Sequence, residues 1–494
     1  MKMRRSSRLT FRSRQILRVV FGLLTIIVFL PGIPKSVPAL ANYQIDREDN
    51  LTVQIDDLYQ KFTDFSWIAY APTHYDPTVG SMPAEQDISD DLQMLFDVGF
   101  RGVVTYGSEG TMAEIPRLAR GVGFQGVVMG IWTPGSEAET AAAVAAVDYV
   151  DGYVVGNEGL YNDRYDFATL EAAMADLKAQ TGKPVTTTEV QPLYEKDVEN
   201  GVLDVGDWVF PNIHPFWAHV TDPADAAQWT KIQYENLLDA VGAERPVVFK
   251  EVGLPTAGAE STSELRQAEY YFRLKETPVV FVYFEAFDQP WKVEGGGVGA
   301  HWGLFLNDRS PKAGIEELFS GSRPPVYIYS DAQSSDNRFY PSGFMGCYYN
   351  LHMEEGYSEN PHSGSTAIQI DYKYYGCTEG WGGIYWWTPA SCNWQQMPCG
   401  IDLSGWTKLT FWARGEQGNE YVEFKVGGLC NAGQTLCDSL NPAISTGLIS
   451  LSNVWTQYTI YLDNADLSRI GGGFVFVTND RKDITIYLDD IRFE

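Results

Sequence analysis

Residues 151–158 read Asp151-Gly152-Tyr153-Val154-Val155-Gly156-Asn157-Glu158. A short apolar run bounded by Asp-Gly and Gly-Asn predicts a buried strand that ends on a polar pair. Working outward, runs of the same kind recur at 65–71, 102–106, 126–132, 184–189, 208–214, 246–251 and 279–284, eight in all with 152–156. Helical periodicity fills intervals between them at 88–98, 137–147, 167–180, 224–241 and 263–274. Thr221 or Asp222 is the expected cap of the fourth helix, and Ser261 or Thr262 of the fifth. Eight strands alternating with helices over residues 42–319 match a (β/α)8 TIM barrel. A doubly wound open sheet is the rival, but no Gly-rich phosphate loop follows any of these strands.

The ends of the predicted strands carry Tyr70, Tyr106, Trp132, Asn157-Glu158, Glu189, His214, Glu251 and Glu285. In such a barrel the chemistry sits at these C-terminal ends. Aromatic rings and carboxylates dominate; there is no His/Cys cluster for zinc and no G-x-S-x-G elbow. Strand four ends on Glu158. Strand seven, Pro246-Val247-Val248-Phe249-Lys250-Glu251-Val252-Gly253, ends on Glu251. Two carboxyls facing one central pocket suit glycoside hydrolysis, where one protonates the departing oxygen and the other attacks the anomeric carbon. Taken alone, each Glu reads as an exposed loop acid; their joint placement, with Asn157 beside the first, favours a catalytic pair. No metal is expected in that site.

The chain has 494 residues and a net charge of −28, with 44% hydrophobic and 14% aromatic residues. That apolar content is ample for a core and argues against disorder. The negative charge argues against nucleic acid or an anionic membrane as a partner and leaves a neutral ligand. Residues 1–41 hold eight basic groups and no acid, then an apolar run 19–30, prolines and Ala39-Leu40-Ala41. This order predicts a secretory signal with the mature chain starting near Asn42 and no membrane insertion after cleavage; an uncleaved anchor is the alternative. All six cysteines lie between Cys347 and Cys437, so disulfides are expected in a secreted chain. Cys347–Cys377, Cys392–Cys399 and Cys430–Cys437 are the local guesses among 15 pairings.

The segment 65–305 resembles glycoside hydrolase family 17, the β-1,3-glucanase family, in its fungal and bacterial branch. Val155-Gly156-Asn157-Glu158 resembles the family's V-G-N-E acid/base motif, and Glu251-Val252-Gly253-Leu254-Pro255 its E-x-G-W-P nucleophile motif, with Leu254 in place of Trp. Asn212-Ile213-His214-Pro215-Phe216, Phe284-Glu285-Ala286-Phe287-Asp288-Gln289-Pro290-Trp291-Lys292 and His301-Trp302-Gly303-Leu304-Phe305 match further family elements. The resemblance implies Glu158 as acid/base and Glu251 as nucleophile of a retaining enzyme. Asn157 would bind the sugar 2-hydroxyl; Tyr70, Tyr106 and His214 would position hydroxyls or the nucleophile. Trp132, Trp217, Trp291 and Trp302 are candidate stacking platforms. Glu285 and Glu189 read as pocket-wall carboxylates, with Glu285 among the substrate-binding residues, and Lys292 would hydrogen-bond sugar oxygens or pair with Asp288 or Glu285. An acid is common where Gln289 and Gly299 stand, so the sequence departs from the family there.

Ser320-Gly321-Ser322-Arg323-Pro324-Pro325 reads as a linker over 320–326. Residues 327–494 then show short alternating strands at 408–413, 421–426, 457–462, 474–477 and 484–488, which predict an all-β sandwich. Asp402-Leu403-Ser404-Gly405-Trp406 and the ending Tyr487-Leu488-Asp489-Asp490-Ile491-Arg492-Phe493 resemble jelly-roll carbohydrate-binding modules. Trp381, Trp386, Trp387 and Trp394 are the expected sugar platform; Trp412 and Trp455 are assigned to the core. Asp489 or Asp490 is a candidate ligand for a structural calcium, with a surface ion pair as the equal alternative. The reading is thus a secreted, monomeric, retaining enzyme acting on β-glucan polysaccharide or oligosaccharide. A β-1,3-glucan transglycosylase and a catalytically weak glucan-binding or wall protein are its rivals.

Overall fold

The computed structural model describes residues 39–494 apart from 197, 200, 243, 244 and 294. All but the last three residues of the signal segment read at 1–41 lie outside the described residues. Seven parallel strands form one sheet: β1 (Trp67–Ala69), β2 (Gly102–Val104), β3 (Gly126–Ile131), β4 (Gly152–Val155), β5 (Val185–Thr186), β6 (Phe249–Val252) and β7 (Phe281–Tyr283), in the order β5-β4-β3-β2-β1-β7-β6. The expected strand at 208–214 is not a regular strand. Isolated parallel bridges join it to both edges of the sheet, Val190 to Asn212 on one side and Val209 to Val247 and Asn212 to Glu251 on the other. Pro211 has no N–H to give a ladder, which is why the pairing breaks into single bridges. Those bridges nonetheless close the circle, with Asn212 N–H donating to Glu189 O at 3.0 Å and Ile213 N–H to Glu251 O at 2.8 Å.

Helices Glu85–Asp97, Ile115–Val122, Glu137–Ala145, Phe167–Thr181, Pro223–Val241 and Glu264–Lys275 surround this barrel. Asp222 caps the helix at 223–241 by accepting from Ala224 and Asp225 N–H. The cap at 264–275 is Ser263, one residue later than expected, accepting from Arg266 N–H.

Strand alternation sorts the barrel residues into two cores. Trp67, Ala69, Val104, Val128, Val154, Trp208, Phe210, Val248, Val282 and Phe284 fill the interior. Their neighbours, among them Ile68, Tyr70, Val103, Val127 and Phe249, face the helices. Glycine makes the interior possible: a Cβ on Gly102 would lie 2.0 Å from the Trp67 ring, and one on Gly126 2.2 Å from it. Burying an indole removes roughly 200 Å² from water, which at about 25 cal/mol per Å² contributes about 5 kcal/mol. A helix that the pattern above did not contain, Ala39–Asp64, brings Leu58 and Phe62 against the same interior cluster. Phe62 packs on Trp67 at 4.2 Å between centroids, and the Trp67 indole donates to Lys61 O at 2.8 Å.

The rest is a sandwich of two antiparallel sheets. Its strands are β8 (Val326–Tyr329), β9 (Tyr340–Gly346), β10 (Leu351–Tyr357), β11 (Ala367–Tyr372), β12 (Gly382–Trp387), β13 (Lys408–Gly415), β14 (Tyr421–Val426), β15 (Ile444–Ser450), β16 (Thr456–Tyr461), β17 (Gly472–Thr478) and β18 (Ile484–Phe493). One sheet runs β10-β11-β18-β13-β16 with β8 beside β18, the other β15-β14-β17-β12-β9. The three expected disulfides form: Cys347–Cys377, Cys392–Cys399 and Cys430–Cys437. Two of the expected platform rings, Trp386 and Trp387, are buried. Trp394 packs on Tyr385 and Trp387, so of the four only Trp381 is clearly exposed. Trp412, assigned to the core, is half-buried and stacks on His362 at 3.7 Å. Asp489 accepts from His362 and Ser363 N–H, and Asp490 from the Ser363 hydroxyl and the His362 ring.

Barrel and sandwich pack together in one compact unit, residues 50–494. Arg338 of the sandwich is buried between two barrel carboxylates, Glu269 at 2.7 Å and the capping Asp222. The stretch read as a linker is likewise packed: Arg323 pairs with Glu276 at 2.8 Å, and the Trp406 indole donates to Pro324 O at 3.1 Å.

Candidate active site

Inward parity carries the polar groups into the barrel mouth. Asn212 and His214 continue the inward series of Trp208 and Phe210, and Lys250 continues that of Val248. A register shift between Phe249 and Val252, where β6 pairs with β7, is the mark of a bulge, which re-aims side chains at sites of this kind. It accompanies Lys250 and Glu251, adjacent in sequence, both reaching the same cluster.

Four hydrogen bonds tie the two glutamates together. Asn212 Nδ2 donates to Glu158 Oε1 at 2.8 Å and to Asn157 Oδ1 at 3.3 Å. Lys250 Nζ donates to Asn157 Oδ1 at 2.6 Å and to Glu251 Oε1 at 2.6 Å. Thr188 Oγ1 donates to Asn212 Oδ1 at 2.9 Å and so fixes the Asn212 amide. Because Asn157 Oδ1 takes two donors, its Nδ2 is left to point elsewhere. His214 Nε2 lies 3.3 Å from Glu251 Oε2. Its Nδ1 is buried with no partner among the described residues, so the ring proton that finds an acceptor is the one on Nε2. Lys250 also sits 3.9 Å over the Tyr106 ring. Burial, then the Glu251 carboxylate, holds the Tyr106 hydroxyl well above its ordinary pKa.

The turn that presents Glu158 is specified locally. Gly156 has φ +75° and Glu158 φ +54°, a region that a non-glycine residue enters only when its surroundings hold it there. A Cβ on Gly156 would lie 2.0 Å from the Tyr165 hydroxyl oxygen. Glu189 does the holding: it accepts from Leu160 N–H at 2.9 Å, Tyr161 N–H at 3.3 Å and Tyr165 OH at 3.3 Å. It is a buttress of the loop.

The two glutamates are driven apart electrostatically. Burial, then the charge of Glu251, raises the Glu158 pKa above the usual carboxylate value, against the pull of Asn212, His214 and Lys250. Burial would raise Glu251 too, but the Lys250 ammonium and His214 outweigh it and bring its pKa down to about 2. One carboxyl is thereby kept protonated more readily while its neighbour stays ionised. Burial also raises Glu285, opposed by Lys292, whose Nζ donates to both Glu285 oxygens at 2.8 Å.

The remaining expected residues sort by parity and exposure. Trp302 is buried and edge-on to His214 at 4.8 Å. Trp217, in the 3₁₀ turn Pro215–Ala218 after the 208–214 segment, is 54% exposed, and Trp132, directly after β3, is 42% exposed. Arg164 covers the Trp132 ring at 4.3 Å. Trp291 is half-buried, edge-on to Tyr75 at 5.9 Å, and donates to Gln289 Oε1 at 2.9 Å. Gln289 in turn donates to Ala71 O at 3.0 Å, a bond an ionised carboxylate cannot make, which accounts for an amide here. Tyr70 is a correction: with Trp67 and Ala69 inward, it faces the helices, is buried, and donates to Asp91 at 2.9 Å, away from the mouth. Lys250 is the main group that strand-end reasoning missed. Its signal was a lone cation inside an apolar run, in step with Val248.

Residues 68–303 match the family model of the BtgE/BtgC glycoside hydrolase domain. The chain is 28% identical over 198 residues to the putative glucan endo-1,3-beta-glucosidase btgC of Aspergillus niger, covering 33% of this chain and 28% of that protein. It thus spans less than a third of that relative's length. It is 26% identical over 236 residues to the glucan 1,3-beta-glucosidase of Arthroderma benhamiae, covering 41% of this chain and 75% of that one. The glycoside hydrolase family 17 beta-1,3-glucanosyltransferase structure from Rhizomucor miehei aligns over 51% of this chain and 96% of its own, at 26% identity and TM-score 0.43.

Proposed function

We propose that the chain, whose residues 68–303 match the BtgE/BtgC glycoside hydrolase domain, is a retaining β-1,3-glucan hydrolase worked by Glu251 and Glu158. The observation that carries this is the hydrogen-bonded chain through Asn212, Asn157 and Lys250 that joins the two carboxyls while their pKa values diverge. Glu251, ionised beside Lys250, attacks the anomeric carbon as the glycosidic bond breaks. Glu158 gives its proton to the departing oxygen. In the second half Glu158 takes a proton from water, whose oxygen displaces Glu251 and restores the starting carboxylate. Asn157, with its carbonyl oxygen engaged by Lys250 and Asn212, presents Nδ2 to the sugar 2-oxygen. Trp132 and Trp217 offer exposed faces to neighbouring sugar rings.

The setting is extracytoplasmic: three disulfides persist in oxidising compartments. No helix among the described residues is long and apolar enough to cross a membrane. The direct test is a product profile on laminarin. Release of shorter oligosaccharides, with the new reducing end first appearing as the β-anomer, is the expected result. Products longer than the donor would assign the same carboxylates to transglycosylation instead, and no release at all would leave only a glucan-binding protein.

Lys250 gives a pH prediction. Lys250→Met leaves burial acting on Glu251 against His214 but without the ammonium, so its pKa rises. The acidic limb of kcat/KM reports that ionisation and should move to higher pH by about one unit or more. An acidic limb unmoved in the variant would remove Lys250 from this role.

A further inference from the structure

The geometry points to a second carbohydrate site, a tyrosine platform at one tip of the sandwich that binds a neutral β-glucan chain. Two connections cross between the sheets at that end: 347–350 from β9 to β10, and 373–381 from β11 to β12. They bring Tyr348, Tyr349, Tyr374, Tyr375 and Trp381 to the surface together. Tyr348 is 60% exposed, Tyr349 55% and Tyr375 94%. Isolated exposed rings are ordinary; five on two abutting loops mark a binding surface.

The loops are held as if for use. The Cys347–Cys377 disulfide joins them. Cys347 N–H donates to Trp381 O at 2.9 Å and Lys373 N–H to Asn350 O at 2.9 Å. Asn350 Nδ2 reaches Tyr375 O at 3.1 Å. Tyr348 and Tyr349 meet edge-to-face at 5.5 Å, so their planes cannot both pack on a single flat partner. Loops fixed before binding lose little conformational entropy on contact, which is what a weakly held polymer needs. Polar groups rim the rings: Glu379 accepts from Tyr349 OH at 3.1 Å and from Thr378 Oγ1 at 2.8 Å.

The occupant follows from chemistry. Sugar rings offer apolar C–H faces to aromatic rings and hydroxyls to such a rim. A polyanion would be repelled by a chain of net charge −28. The β-glucan identity rests on the catalytic reading above. The platform belongs to the same compact unit as the barrel.

The test compares the full chain with Tyr348→Ala/Tyr375→Ala, two rings with no side-chain hydrogen bond among the described residues. Partition onto curdlan, an insoluble β-1,3-glucan, should weaken about tenfold or more for the pair. Hydrolysis of soluble laminari-oligosaccharides should stay at the wild-type rate, which also shows that the variant is folded. Unchanged partition of the variant would overturn the platform, as would a wild-type chain that hydrolyses oligosaccharides but does not partition onto curdlan. Curdlan retention that depends on the two tyrosines, without hydrolysis by the wild-type chain, would uphold the platform and overturn the catalytic reading instead.

Discussion

Glu251→Ala leaves a protein that binds laminarin and turns it over slower by about four orders of magnitude or more. The size follows from the role: without the carboxylate there is no covalent intermediate, and Asn157, His214 and Lys250 are left positioning a sugar that nothing attacks. Binding survives because the exposed faces of Trp132 and Trp217 are untouched. The variant also strands Lys250, which is fully buried and loses its closest carboxylate. Its melting temperature is therefore measured beside the kinetics, and a folded, inactive protein is the expected state. Azide supplied to this variant should fill the vacated space and attack from the face that Glu251 served. With an activated β-glucoside the product would be the α-glucosyl azide. Azide rescue giving the β-azide, or activity retained near the wild-type level, would exclude Glu251 as nucleophile.

Glu158→Gln should slow hydrolysis of laminarin by about 10²- to 10⁴-fold, the usual contribution of a positioned general acid. The loss depends on the leaving group. A dinitrophenyl glycoside departs without a proton, so its first step should run close to the wild-type rate while the second step lags, giving a burst of dinitrophenol. The pH profile separates this role from a structural one. Burial and the Glu251 charge raise the Glu158 pKa, so the wild-type alkaline limb reports loss of its proton. Gln cannot lose one, and that limb should disappear. Equal losses on activated and natural substrates would count against Glu158 as acid/base.

Much of this site was legible in the chain. Glu158 and Glu251 each end an apolar run with a glycine one or two residues on, and the barrel rule places such ends at the chemistry. Asn212 and His214 could be followed by counting in twos from Trp208 and Phe210. The same counting, applied to Trp67, would have sent Tyr70 outward to Asp91. Lys250 was harder, because in sequence it sits directly beside Glu251, and adjacent strand residues ordinarily face opposite ways. A local shift in register accompanies their convergence on one cluster. The tryptophans of β12 show the opposite limit. Composition marked Trp386 and Trp387 as sugar-facing, but pairing of β12 between β9 and β17 buries both.

The amino-acid order by itself determined the alternation of strands and helices and the sandwich that follows, and it suggested the disulfide partners and the two glutamates, since each depends on near-neighbour periodicity or a short loop closure. Only the folded chain decided which side chains share a charge. The low pKa of Glu251 comes from an ammonium on the preceding residue, which reaches the same cluster where the register shifts, and from a histidine 37 positions away. The tyrosine tip joins two loops held by a disulfide spanning 30 residues. Electrostatic coupling and surface clustering fall off with distance in space, and no local pattern in a linear string encodes that distance.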